Sequence, residues 1–263
     1  MNDIPSSGTM MPLAGKKGLV IGIANDSSIA WGCGEAFRRF GADLAVTYLN
    51  EKTKQYVEPL AERLEAKIFL PCDVREEGAL EAVFAAIEKQ WGQLDFVLHS
   101  IAFAPREDLH GRLTDSSQEG FKVAMDVSCH SFIRTAKLAE PLMKNGGSLF
   151  AMSYYGAEKV VEHYNLMGPV KAALEASVRY LAYELGGKGI RVHAISPGPI
   201  KTRAASGIAH FDELMEKAAE RAPMQRLVSI DDVGAATALL ATDAAKLITG
   251  ETLYIDGGLH ILG

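Results

Sequence analysis

Short apolar runs alternate with longer amphipathic segments along nearly the whole chain, and this alternation restricts the fold more than any other feature. The apolar runs are typical of buried strands and lie at 16–23, 43–49, 67–74, 94–103, 147–153, 190–196 and 251–256. The amphipathic segments predict helices at 28–42, 51–66, 78–92, 118–143, 165–186 and 229–241. Strands that are separated by helices form parallel sheets covered on both faces. We therefore predict a single-domain α/β fold with a doubly wound, Rossmann-like parallel sheet.

The length and local composition of the chain predict one domain with a tail and an insertion. Its 263 residues suit a single large core. Residues 1–14 are polar and carry no continuous apolar stretch, so we expect a flexible tail rather than a signal peptide. Residues 15–263 then form the domain. Within it, 201–226 has a helical pattern flanked by Gly and Pro where a plain connection would suffice, and we predict a helical lid there.

Charge and residue usage exclude several classes of protein. The formal net charge of -6 argues against a nucleic-acid-binding protein, which would need a basic surface. No apolar run approaches the roughly 20 residues that a membrane-spanning helix needs. Three widely spaced cysteines are typical of a reduced, cytoplasmic protein, and seven scattered histidines predict no metal site.

The segment after the first predicted strand offers a place for a dinucleotide. Gly22 leaves the strand, Ser27 or Ser28 can cap the following helix, and Gly32 lets that helix approach the sheet. Backbone N–H groups at the start of a helix bind pyrophosphate well. The two glycines are ten residues apart, which differs from the common dinucleotide fingerprint, so an ordinary strand–helix turn is the alternative.

Three other strand ends complete the predicted cofactor site. Asp73 can accept a hydrogen bond from an adenine amino group, with Val74 against the ring; capping of the next helix is the alternative role for Asp73. The apolar loop around Ser100 can lie along the nicotinamide riboside. The second strand ends at Leu49 without an immediate basic residue, which favours NADH over NADPH.

The segment HYNLMGPVKAAL, at 163–174, carries the candidate catalytic pair. Many nicotinamide-cofactor reductases have a tyrosine four residues before the active lysine, but Met167 stands there relative to Lys171, and the nearest upstream tyrosine is Tyr164. Lys171 can bind the nicotinamide ribose and, by its charge, lower the pKa of a neighbouring phenol from about 10. The alternative for Lys171 is a solvated lysine on a helix surface, and the alternative for Tyr164 is an aromatic residue of the core or of an interface.

The unusual spacing between tyrosine and lysine has a chemical reason. Reduction of a ketone puts negative charge on the oxygen of the same carbon that receives hydride. Reduction of a conjugated enoyl thioester delivers hydride to C3, whereas the charge appears on the thioester oxygen at C1, so the stabilising hydroxyl must be displaced. If the segment is helical, three residues move the attachment point by about 5 Å.

Several segments together carry a resemblance to a known family. The most specific is YNLMGPVK at 164–171; the others include 22–32, CDV at 72–74, HSIAFAP at 99–105 and TGETLYIDGG at 249–258. Over about 15–258 the chain resembles the NADH-dependent enoyl-acyl-carrier-protein reductases of the short-chain dehydrogenase/reductase superfamily. The resemblance implies hydride transfer from NADH to C3 of a trans-2-enoyl thioester, the last reduction step of fatty acid elongation, with Tyr164 stabilising the enolate.

The resemblance implies further residue roles by position. Tyr154 is a second tyrosine beside the substrate, with adjacent Tyr155 as the alternative. Cofactor contacts are implied for Gly22, Ser28, Ile29, Asp73, Val74, Ser100, Ile101, Lys171, Gly198, Pro199, Ile200 and Thr202. Substrate contacts are implied for Ala102, Phe103, Tyr154, Tyr164, Met167, Ile208 and Phe211, of which the last two belong to the lid.

The family also implies an acyl carrier protein as the bearer of the substrate and a homotetramer as the assembly. Residues 201–226 contain five basic and four acidic residues, which does not define a docking surface for an acidic carrier. A small-residue face at Ala172, Ala173 and Ala176 fits close packing against a second copy or, alternatively, against the sheet. Two other functions stay open: reduction of 3-oxoacyl or other carbonyl groups on the same fold, and a non-catalytic dinucleotide sensor.

Overall fold

The computed structural model describes residues 11–202 and 211–262, and its centre is a seven-stranded parallel sheet in the order β3-β2-β1-β4-β5-β6-β7. The strands are β1 (Lys17–Ile21), β2 (Asp43–Tyr48), β3 (Ile68–Pro71), β4 (Phe96–His99), β5 (Gly147–Met152), β6 (Ile190–Pro197) and β7 (Thr252–Ile255). Every neighbouring pair is parallel. The predicted doubly wound α/β fold is confirmed.

Helices cover both faces of the sheet, because the strands bury side chains on both sides. The helices are α1 (Ile29–Arg39), α2 (Glu51–Arg63), α3 (Ala79–Trp91), α4 (Arg106–Leu109), α5 (Gln118–Met125), α6 (Ser131–Ala139), α7 (Met167–Leu185), α8 (Phe211–Arg221) and α9 (Ile230–Ala241). Leu19 and Ile21 of β1 face the core that contains α3, α6 and α7. Val20 faces the opposite core, which contains α1, α2 and α9. Among the described residues, no helix combines the length and apolar character needed to cross a bilayer.

Two predicted boundaries are wrong for identifiable reasons. The long helix predicted at 118–143 is divided into α5 and α6 by a π-helical turn at Asp126–His130. The tail predicted at 1–14 extends too far, because Leu13 is completely buried and its N–H donates to the Phe40 carbonyl at 2.9 Å. The apolar run around Leu13 at 10–14 is too short to predict that the tail ends earlier.

The close packing of α1 on α9 depends on two glycines. A Cβ added at Gly32 would lie 2.4 Å from the Ile230 carbonyl oxygen, and one at Gly234 would lie 2.3 Å from the Gly32 carbonyl oxygen. Both clashes involve backbone atoms, which cannot rotate away as a side chain can. The predicted close approach at Gly32 is therefore present, but the partner is α9 rather than the sheet.

Gly32→Ala is expected to destabilise the protein by about 3 kcal/mol, because the added methyl forces α1 and α9 apart. Thermal unfolding followed by circular dichroism measures the effect as a lower Tm. Gly186→Ala is the control, because Gly186 has helical backbone angles and an added Cβ there meets nothing within 4 Å. Equal Tm values for the two variants would show that the close approach of α1 and α9 at Gly32 does not contribute to stability.

Candidate active site

A cavity of about 740 Å³ opens at the carboxyl edge of the sheet, where the strand order reverses between β1 and β4. This is the place where doubly wound sheets bind ligands. The predicted catalytic residues Tyr154, Tyr164 and Lys171 all line the cavity. All predicted cofactor and substrate residues line it as well, except Asp73, Val74 and Ile208.

Gly22 and Ser100 bring the two central strand ends into contact. The Ser100 N–H donates to the Ile21 carbonyl at 2.9 Å. Gly22 has a φ of 114°, and a Cβ there would lie 2.1 Å from the Ser100 carbonyl oxygen. Only glycine allows this backbone approach, which forms the floor of the cavity between β1 and β4.

Ser28 organises the loop before α1 instead of capping the helix as predicted. Its hydroxyl accepts from the N–H groups of Ala24 at 3.0 Å and Asn25 at 3.1 Å, and it donates to Asn25 Oδ1. No side chain at this N-cap position bonds to the first turn of α1. The N–H groups of that turn are thus not engaged by a side-chain cap, which suits a helix start that receives an anion.

The π-helical turn fixes the loop that follows β4. Ser128, within the turn, accepts from the Phe103 N–H at 2.9 Å and donates to the Phe103 carbonyl at 3.1 Å. Both backbone groups of Phe103 are therefore satisfied by one buried hydroxyl. No sequence pattern signals this contact, because a π turn has no distinct hydrophobic period.

Lys171 is buried, which rules out the solvated surface lysine considered above. Its side chain lies in the first half of α7, and Nζ donates to the Met152 carbonyl at 2.6 Å. Burial lowers the pKa of Lys171 to about 8, while Cys129 and Glu175 oppose this shift. A buried ammonium with one protein acceptor keeps donors for a ligand in the cavity.

Tyr164 does not lie on a helix, so the assumption of helical displacement is wrong. It precedes α7 in a turn whose neighbouring residues His163 and Asn165 both have left-handed backbone, with φ of 64° and 39°. Asn165 Nδ2 donates to the Leu109 carbonyl at 3.1 Å, which ties the turn to α4. The turn, rather than a helical step, sets the position of Tyr164.

The predicted lowering of the Tyr164 pKa by Lys171 is also wrong. Burial raises the pKa of Tyr164 above its usual range, and the charge of Glu175 raises it further. The phenol therefore stays neutral near pH 7. A neutral hydroxyl is suited to donate a hydrogen bond to a developing oxyanion, without first becoming a phenolate.

Tyr154 packs against Tyr164 in an edge-to-face arrangement, with ring centroids 4.9 Å apart. Its hydroxyl is buried and has no hydrogen-bond partner of normal geometry among the described residues. Burial raises the pKa of Tyr154 above its usual range, as does the nearby Tyr155. Buried hydroxyls without a partner are rare, and this one borders the cavity, so it can meet a ligand atom.

The remaining predicted residues lie apart from the cavity or outside the described residues. The Asp73 carboxylate binds the Arg75 guanidinium through both oxygens, at 3.0 and 2.6 Å, and Arg75 lowers its pKa. Asp73 does not cap α3, whose N-cap is Gly78. Val74 is buried in the core. Ile208 lies outside the described residues, and the adenine contacts of Asp73 and Val74 stay predictions.

Sequence reasoning missed the part of the wall that α4 supplies. Arg106, Leu109 and His110 line the cavity beside Phe103. The helix has four residues, which is too short to show a helical period. Asp108 anchors this segment by accepting from the Ser117 N–H at 2.5 Å.

Comparison with known proteins identifies the family. A family model described as enoyl-(acyl carrier protein) reductase matches residues 22–260. The chain belongs to this family. The "Enoyl-[acyl-carrier-protein] reductase [NADH] 1" of Rhizobium meliloti is 48% identical over 95% of the chain and 92% of that protein. The family resemblance predicted from YNLMGPVK is confirmed.

Solved structures of the same reductase family match the fold closely. The reductase from Anaplasma phagocytophilum, crystallised with NAD, has a TM-score of 0.93 and 48% identity, and the match covers 98% of each chain. The reductase from Bacillus cereus, crystallised with NADP+ and indole naphthyridinone, has a TM-score of 0.94 and 43% identity over 97% of this chain and 100% of that one. The two structures hold different dinucleotides.

Proposed function

We propose that this protein is an NADH-dependent enoyl-[acyl-carrier-protein] reductase, which saturates the C2–C3 bond of trans-2-enoyl thioesters in the last reduction step of fatty acid elongation. The observation that carries the proposal is the cavity wall, which Tyr164 and buried Lys171 both line, with Met167 where a ketone-reducing enzyme would hold its tyrosine. Membership in the enoyl-(acyl carrier protein) reductase family supports it.

The residues around the cavity fit a dinucleotide and suggest how it is held. Gly22, Ser28 and Ile29 would receive the pyrophosphate at the start of α1, and Ser100, Ile101, Ile200 and Thr202 would flank the nicotinamide riboside. Lys171 would hydrogen-bond the ribose hydroxyls. When bound, NADH supplies the hydride that is added at C3 of the enoyl group.

The two tyrosines have different tasks in this proposal. Tyr164 donates a hydrogen bond to the thioester oxygen as negative charge develops there, and its raised pKa keeps the donor protonated. Tyr154 orients the substrate through its buried hydroxyl, which borders the cavity. Apolar walls supplied by Ala102, Phe103 and Met167 hold the acyl chain and keep water from the enolate.

The choice of NADH is supported by the end of β2. Leu49 is exposed there, and the adjacent Asn50 side chain is engaged in capping α2, where it accepts from the Thr53 N–H at 3.2 Å. Neither offers a positive charge to a 2′-phosphate, which NADPH would carry. The curated relative from Rhizobium meliloti is named for NADH.

The proposal includes an acyl carrier protein as substrate bearer, a homotetramer and a cytoplasmic location. The large side chains Tyr180 and Tyr183 are exposed on α7, which suits a contact with a second copy, and the mass in solution tests the assembly. The three cysteines are free and buried, as expected of a protein in a reducing compartment. The predicted lid at 201–226 is described only in part, with α8 bringing Phe211 to the cavity.

Purified protein is expected to oxidise NADH rapidly in the presence of a trans-2-enoyl thioester and not in the presence of a 3-oxoacyl thioester. With the enoyl thioester, NADPH should be oxidised more slowly than NADH. Absorbance at the nicotinamide band measures each rate. Faster turnover of the 3-oxoacyl thioester would establish a carbonyl reductase instead. Tight NADH binding without turnover of either substrate would establish a dinucleotide sensor.

A further inference from the structure

Glu175 is a buried carboxylate that the proposed mechanism does not use. It lies on α7 one helical turn after Lys171, so the two side chains project from the same face. Glu175 is 3% exposed and Lys171 is 4% exposed. Burial of a carboxylate is costly unless it is paired or hydrogen-bonded, so a buried glutamate beside an active-site lysine needs a reason.

Lys171 and Glu175 hold two consecutive residues at the end of β5. Lys171 Nζ donates to the Met152 carbonyl at 2.6 Å, and Ser153 Oγ donates to Glu175 Oε1 at 2.5 Å. The next residue is Tyr154, which lines the cavity. This pair of contacts, here called the α7–β5 clasp, joins the helix that carries Lys171 to the strand that leads into Tyr154.

The charge of Glu175 reaches both members of the catalytic pair. It raises the pKa of Lys171 against the effect of burial, and it raises the pKa of Tyr164 in addition to burial. Burial raises the pKa of Glu175 itself, whereas hydrogen bonds from Ser153 and Thr252 oppose the shift. Other charged or titratable groups that interact with Lys171, Glu175 or Tyr164 include Glu158, Arg179, Tyr254, Cys129, His99 and Tyr154.

We propose that Glu175 is a positioning residue for Lys171, which projects from the same face of α7, and, through its hydrogen bond with Ser153, for the segment that presents Tyr154. The inference rests on the proposed function, because it assigns Glu175 a task for that same site. A role in stability alone would not need a carboxylate, since glutamine has the same length and also accepts from Ser153.

The test compares Glu175→Gln with wild type and with Glu184→Gln, an exposed glutamate on the same helix. The equilibrium Kd for NADH is measured by fluorescence titration between about pH 6 and pH 10, where Lys171 titrates. Without the carboxylate, Lys171 loses its proton at lower pH. The rise in Kd for NADH should therefore begin at a pH about 0.5 to 1 unit lower than in the wild type. Glu184→Gln should retain the wild-type pH midpoint.

Ser153→Ala separates the two halves of the clasp. It removes the hydrogen bond to Glu175 but leaves the charge, so kcat for an enoyl thioester should fall several-fold while the pH midpoint of NADH binding stays within about 0.3 unit of wild type. Because the two residues share one bond, their effects on kcat should not add in the double variant. If the effects of the two substitutions on kcat add in the double variant, the inference that the α7–β5 clasp acts through this shared hydrogen bond is overturned.

The outcomes distinguish this inference from the proposed function. A Glu175→Gln variant that has the wild-type pH midpoint overturns the positioning role, whether or not its Tm is lowered. If the wild type fails to reduce enoyl thioesters, the proposed function fails, and the NADH titration still reports on the relation between Glu175 and Lys171.

Discussion

Replacement of Tyr164 by phenylalanine is expected to lower kcat for a trans-2-enoyl thioester by about 10²- to 10³-fold, with little change in the Kd for NADH. In the proposed mechanism, the Tyr164 hydroxyl meets the negative charge on the thioester oxygen, and that charge exists only during reaction. The ring can keep its edge-to-face contact with Tyr154, so the fold should be retained. Steady-state kinetics and NADH titration measure the two quantities.

Two further variants control this experiment. Tyr180→Phe removes a hydroxyl from an exposed tyrosine on α7 and should leave kcat unchanged. Tyr154→Phe should lower kcat less than Tyr164→Phe, because Tyr154 orients the substrate and does not receive the charge. If Tyr154→Phe has the larger effect, the two tyrosines must exchange roles.

The strand–helix alternation was sufficient to predict the sheet, because each strand of a buried parallel sheet is apolar on both faces. Leu19 and Val20 illustrate this, since consecutive residues enter opposite cores. The carboxyl-edge cavity followed from the same pattern. Its location needed only the positions at which predicted strands end.

The local geometry of the site was not predictable in the same way. The sequence predicts a helix from about residue 165 and gives the displacement of Tyr164 as about one helical turn if that segment is helical, whereas His163 and Asn165 adopt left-handed backbone. Both residue types tolerate that conformation better than most, but neither requires it, so the sequence alone does not fix the turn. The turn that supports Tyr164 is visible only in the structure, and the catalytic role of Tyr164 stays a prediction.

Electrostatic predictions failed where they depended on burial. The expectation that Lys171 lowers the Tyr164 pKa considered one charge and omitted desolvation and Glu175. Glu175 occupies a position that a sequence pattern would assign to an ordinary helix surface, and only the packing of α7 on the sheet shows that it is buried. The number of buried charges near a site is a property of packing, which a single sequence does not display.

Replacement of Lys171 by methionine is expected to raise the Kd for NADH by about 10- to 100-fold at pH 7, because a hydrogen bond from a charged group contributes about 1.5–3 kcal/mol. Methionine keeps most of the aliphatic length and removes the ammonium. The matched control is Lys246→Met, at an exposed position outside the cavity. A Lys171→Met variant with wild-type affinity would remove Lys171 from the cofactor site.

The pH dependence of NADH binding is a second test of the assignment of Lys171 to the cofactor site. Lys171 has a pKa of about 8, below its ordinary value of 10.5, because it is buried. It is therefore charged below pH 8 and neutral above it, so NADH affinity in the wild type should be highest below that pH and fall as pH rises through it. The Lys171→Met variant lacks the titrating ammonium, so its Kd for NADH should stay constant over the same pH range. A wild-type affinity that does not change across this range would mean that the Lys171 ammonium does not bind the cofactor.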